Sequence, residues 1–110
     1  MMTMQKFEAG QIWIAYVYFA DKLEVGKVRP VIILHTGTEL KVSACRVTSR
    51  PFTGDDDIFI EEWKSCGLVK PSCIRTDIVF EILQSDVLSQ APIGKVNEGT
   101  FAEVLDKIQK

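Results

Sequence analysis

Apolar and polar positions alternate between short apolar runs and breaker-rich connections along most of the chain. Gln11 to Phe19, following Gly10, is almost entirely β-branched or aromatic, which predicts a buried strand. Asp21 to Val28, with its charges and Gly26, reads as a polar loop, and Pro30 then opens a central strand through Val31-Ile32-Ile33-Leu34, the first residue being one of the few strand positions proline tolerates. His35-Thr36-Gly37-Thr38 has the composition of a short hairpin connection. Leu40 to Ser49 returns as a third strand with Leu40, Val42 and Ala44 on one face, and that face runs on through Arg46 and Thr48 toward a polar rim.

Arg50 to Asp57 stacks Pro51, Gly54 and three consecutive acids, the signature of a surface loop. Ile58-Phe59-Ile60 is expected to be a short strand and Glu61 to Ser65 a single helical turn. Lys70-Pro71 favours extended backbone; Ser72 to Arg75 and Ile78 to Ile82 read as two further strands, with Ile78, Phe80 and Ile82 sharing a face. Gln84 to Leu88 suggests another helical turn and Ile93 to Val96 a last strand. The end of the chain changes period: Phe101, Val104, Leu105 and Ile108 fall on one side of a helix, and Thr100-x-x-Glu103 has the form of a capping box. Six or seven short strands, one C-terminal helix and no βαβ alternation predict a mainly β fold, a small bent sheet or barrel, as a single domain over residues 1–110.

Composition narrows the function classes. With 46% apolar and 25% charged residues the chain has an ordinary globular balance. The net charge of -2 argues against binding nucleic acid through bulk electrostatics, so any such contact must come from a local cationic patch. Cys45, Cys66 and Cys73 lack paired C-x-x-C spacing, and His35 is the single histidine. The expectation is therefore buried thiols in a reducing compartment, with no metal site and no cofactor. The apolar stretch Ile12 to Ala20 is well short of the roughly 20 residues a membrane helix needs, and Met1 to Lys6 lacks a signal-peptide apolar region; a cytoplasmic protein without membrane association is expected.

Three segments carry a resemblance. Gly10-Gln11-Ile12-Trp13, then Glu24-Val25-Gly26-Lys27-Val28-Arg29-Pro30-Val31-Ile32-Ile33-Leu34, then Gly67-Leu68-Val69-Lys70-Pro71-Ser72-Cys73-Ile74-Arg75-Thr76-Asp77 resemble, in this order, the MazF/PemK family of type II toxins. The resemblance implies an SH3-like β-barrel, a homodimer, and an antitoxin partner whose acidic disordered segment covers the active surface. It also implies sequence-selective, metal-independent endoribonuclease cleavage of single-stranded RNA that inhibits translation and growth. Its catalytic arginine and hydroxyl fall on Arg29 and Thr48, with Ser49 as the alternative if the register shifts by one. Glu24 is either an orienting acid for Arg29 or a plain loop charge.

The residue types suit that chemistry. Metal-free cleavage lets the neighbouring 2′-hydroxyl attack its own phosphate, so the protein supplies position and charge. A guanidinium can fork onto two phosphate oxygens and stabilise the growing negative charge, while its high pKa makes it a poor general base. Thr48 could hydrogen-bond the phosphate or the attacking hydroxyl. Lys27, Arg46, Arg50 and Lys70, with Lys64 and Arg75, are available to follow an RNA backbone, and Tyr16, Tyr18, Phe52 and Trp63 to stack on bases. Simpler readings stand beside these: Arg29 as a solvated strand-start residue, Thr48 as a strand former, Lys70-Pro71-Ser72 as a fixed backbone path, Trp13 and Phe80 as core, Trp63 as an exposed contact residue. Departures from the family pattern, including Asp55-Asp56-Asp57 and the aromatic run at Tyr16 to Phe19, leave room for a diverged inactive member. The same barrel also serves non-catalytic inhibitors of protein targets, such as gyrase poisons, and plain binding modules.

Overall fold

The structure, a computed structural model, describes residues 7–19, 22–36, 41–49 and 54–109, and side chains throughout these except at 18, 19, 22–25 and 36. It is mainly β. The strands are β1 (Gln11–Phe19), β2 (Lys22–Thr36), β3 (Lys41–Thr48), β4 (Asp57–Phe59), β5 (Cys73–Leu83) and β6 (Gly94–Lys95), followed by helix α1 (Glu98–Ile108). All pairings are antiparallel, in the order β4-β5-β3-β2-β1-β6, and the sheet curls into a half-barrel.

Both sheet faces are covered, as the apolar runs require. Ile12, Ile32, Cys45, Val47 and Ile74 point to one face, where Ile58, Ile60, Cys66, Val96 and Val104 of α1 complete a core. Trp13, Ala15, Val17, Val31, Ile33, Val42, Ala44 and Ile82 point to the other, closed by Phe7 and the partly buried Phe80 and Val87. All three cysteines are free and buried. Burial pushes the Cys45 thiol up to about 11, with the nearby Asp77 charge adding to the effect.

Several expectations are corrected. Residues 22–28 form strand, not loop, because β2 stays paired with β1: Tyr16 faces Val28, Val17 faces Lys27, Tyr18 faces Gly26 and Phe19 faces Lys22. Pro30 lies inside β2 rather than at its start. His35 belongs to β2, opposite Ser43; Gly37, Thr38 and Leu40 lie outside the described residues. The two strands expected at Ser72 to Arg75 and Ile78 to Ile82 are one, β5, which bends. Its partner residues in β3 jump from Arg46 at Arg75 to Ala44 at Phe80, so the intervening residues bulge. That bulge breaks the alternation and leaves Ile78 exposed while Phe80 and Ile82 pack inward.

The helix starts earlier than Thr100, and its cap is assembled across the chain. Asn97 is the N-cap, its side chain accepting from the Thr100 backbone N–H at 2.8 Å. Where a local capping box would use a glutamate one turn on, Glu62 accepts from the Asn97 backbone N–H at 2.8 Å and from the Thr100 hydroxyl at 3.1 Å. Partial burial alone would raise the Glu62 carboxyl, but these bonds, from Asn97, its own backbone and Thr100, hold it below its ordinary value. A depressed carboxylate contributes stability above its unfolded value that is lost as pH falls through the folded one. Glu62→Gln should therefore lower stability near neutral pH by about 1 kcal/mol, the worth of a helix cap, and the deficit should shrink on acidification. Urea melts at pH 7 and pH 3.5 check this; a deficit that is the same at both would contradict it.

Candidate active site

A cleft of about 370 Å³ opens where β2 and β3 part, lined by Val28, Arg29 and Pro30 of β2, Val47, Thr48 and Ser49 at the end of β3, and Leu68, Val69, Lys70 and Ser72 of the segment before β5. Pro30 accounts for the parting. It has no N–H to donate, and the β2–β3 pairing stops at its neighbour, where Val31 faces Arg46. Carried two residues further, the same register sets Arg29 across from Thr48, on one face of the sheet. The other neighbour of β2 holds Arg29 in place, Ala15 being its partner.

Arg29 is half-buried, and its Nη1 donates to the Val28 carbonyl at 3.0 Å. This tether leaves most of the guanidinium's donors to the cleft. Among the described residues Arg29 takes part in no ion pair. Lys70 is exposed on the opposite wall, where the Ser72 hydroxyl donates to its carbonyl at 2.9 Å and fixes the turn before β5. Val28 and Val69 stand exposed at the lips. The arrangement brings together two cations, Arg29 and Lys70, and three hydroxyl-bearing residues, Thr48, Ser49 and Ser72, from three chain segments.

The other expected residues divide. Lys27 and Arg46 share the sheet face of Arg29 and Thr48, two residues away along β2 and β3, but do not line the cleft. Arg75 is committed: its Nε lies 3.5 Å from the Asp57 carboxylate, which is buried. Trp63 packs partly buried against the first core with Lys64 over its ring at 5.5 Å, and neither residue lines the cleft. Asp55 and Asp57 line a different cavity, between β4 and α1, so these acids do not oppose the cleft's cations. The side chains of Glu24 and Tyr18, and Arg50 and Phe52 entirely, lie outside the described residues. Sequence reading missed Val28, Leu68 and Val69 as cleft walls. Their apolar character beside Arg29 and Lys70 was visible, but their convergence depends on where the β2–β3 pairing ends.

The fold and cleft together define a small β half-barrel with Arg29 and Lys70 at the mouth of a cleft. A sequence model of the family described as the PemK-like, MazF-like toxins of type II toxin-antitoxin systems matches residues 8–110, and the chain belongs to that family. No curated protein sequence matches it significantly. Its fold is similar to that of the Mycobacterium tuberculosis toxin MazF-mt6, at 22% identity and TM-score 0.68 over 89% of this chain and 91% of that one. It is similar to a mycobacterial endoribonuclease solved in complex with its cognate antitoxin, at 15% identity and TM-score 0.69 over 91% and 88%. It is also similar to the MazE-MazF complex of Deinococcus radiodurans, at 20% identity and TM-score 0.70 over 92% and 90%. Among the described residues no helix is long and apolar enough to cross a membrane.

Proposed function

We propose that this chain is the toxin of a type II toxin-antitoxin pair, a sequence-selective endoribonuclease that cleaves single-stranded RNA in the cytoplasm without a metal ion, and that Arg29 and Thr48 carry the reaction. The observation that supports this most is the meeting of Arg29, Thr48, Ser49 and Lys70 in one cleft where two strands part.

The scissile phosphate sits between Arg29 and the end of β3. As the 2′-oxygen bonds to phosphorus, the bond to the 5′-oxygen breaks, leaving a cyclic phosphate on one fragment and a 5′-hydroxyl on the other; the net proton passes from the 2′- to the 5′-oxygen. Arg29 stabilises the charge that grows on the non-bridging oxygens, with the fork geometry a lysine lacks. Thr48, or Ser49 one position on, orients the phosphate or the attacking hydroxyl. Lys70 neutralises the backbone on the facing wall, and Lys27 and Arg46 extend the cationic surface along the sheet. The same cations would receive the acidic segment of an antitoxin, and the working form is a homodimer.

Purified protein incubated with single-stranded RNA in excess chelator should yield discrete fragments bearing cyclic phosphate ends. Intact RNA under those conditions, from protein that still arrests growth on expression, would overturn the reading.

A further inference from the structure

The sheet face that carries Arg29 and Thr48 has a second cationic row. Moving along the strands away from the cleft, the residues facing one another are Val31 on β2, Arg46 on β3, Arg75 on β5 and Asp57 on β4. Two arginines thus stand directly opposite each other on neighbouring strands, an arrangement that like-charge repulsion disfavours unless an anion compensates it. Asp57 compensates one of them. Its buried carboxylate takes the Arg75 Nε side at 3.5 Å and also receives the Cys73 thiol. The Arg46 side chain is half-buried and, among the described residues, its guanidinium has neither an ion-pair nor a hydrogen-bond partner. Two guanidiniums and one carboxylate leave a net positive charge in this row.

From these observations we infer that Arg46, backed by the Asp57-anchored Arg75, is the binding site for a second phosphate of the substrate, the one adjacent to the phosphate held at Arg29. This rests on the ribonuclease reading and deepens it. The two rows lie two residues apart, about 7 Å along the strands, a distance that one nucleotide's backbone spans between phosphates. The Asp57 carboxylate holds Arg75 from the β4 side, so Arg75 keeps its place in the row and an incoming anion at Arg46 relieves the repulsion between the two guanidiniums. The site's preference is for a polyanion with regularly spaced charges, and a single inorganic phosphate satisfies only one row at a time.

The test uses the full chain and a fluorescent RNA of randomised sequence carrying 2′-O-methyl groups throughout, which blocks the attacking hydroxyl, with affinity measured over a series of KCl concentrations. Arg46→Gln should weaken binding and reduce the slope of log affinity against log salt by about 0.7, the value for one single-strand phosphate contact. Arg46→Lys should restore the slope, which a merely structural role of the guanidinium would not do. If wild type binds this RNA and cuts unmodified RNA but Arg46→Gln leaves the slope unchanged, the second subsite is wrong and the nuclease reading stands. If wild type shows no salt-dependent RNA binding, both fall.

Discussion

Arg29→Ala should keep its fold and lose RNA cleavage by about two to three orders of magnitude, the usual cost of deleting one donor to a developing oxyanion, about 3 to 4 kcal/mol of transition-state stabilisation. The fold should survive because the side chain is half-buried, and its guanidinium is tethered to the Val28 carbonyl rather than packed in either core. Backbone pairing with Ala15 is untouched by the substitution. Arg29→Lys should fall between, since an ammonium restores charge without the two-pronged geometry. Single-turnover cleavage with a thermal melt of each variant separates the cases. Wild-type cleavage by a folded Arg29→Ala would remove this residue from the mechanism.

The largest stability effect is expected away from the reacting atoms. A Cβ added at Gly94 would fall on the carbonyl oxygen and Cα of Cys66, and one at Gly67 on the carbonyl of Ile93, so two backbone segments cross here in direct contact. Neither obstruction is the end of a flexible side chain. Gly67 also has φ 78°, in the region other residues avoid. Gly94→Ala must push β6 from the edge of β1 or tear the 61–67 turn from the core that holds Cys66, at a cost of about 3 kcal/mol or more. The urea midpoint should drop accordingly, and an unchanged midpoint would mean that the crossing is looser than described. Because Gly67 leads directly into Leu68, Val69 and Lys70, the same variant should also lose cleavage at temperatures where it is still folded.

What could be read from the chain, and what could not, follows the range of the interactions involved. β1, β3 and the place of Thr48 at the end of β3 are set by local apolar runs, and these were legible, whereas Arg29, read as a strand start, lies inside β2, and both residues were singled out by the family resemblance. The strand at 22–28 was not legible, because its charge-rich sequence gives no apolar run and its strand form comes from backbone pairing with β1. The capping of α1 by Glu62 joins residues 35 apart, and a nearer glutamate at Glu103 imitated the local signal. The Arg75–Asp57 pair and the facing of Arg46 and Arg75 depend on strand register, which alternation alone does not supply. Cleft walls at Val28 and Val69 were hidden for the same reason: an exposed valine carries no functional signal until its neighbours across the sheet are known.

The central claim is that the protein contributes charge and position at Arg29 and Thr48 while the RNA contributes its own nucleophile. It is tested most directly with two oligonucleotides that contain one mapped cleavage site and differ by a single 2′-deoxy substitution on its 5′ side, assayed in excess chelator. The fully ribose strand should be cut and the substituted strand should bind equally and remain intact. Equal cleavage of both would show that the attacking group comes from elsewhere and would contradict the account.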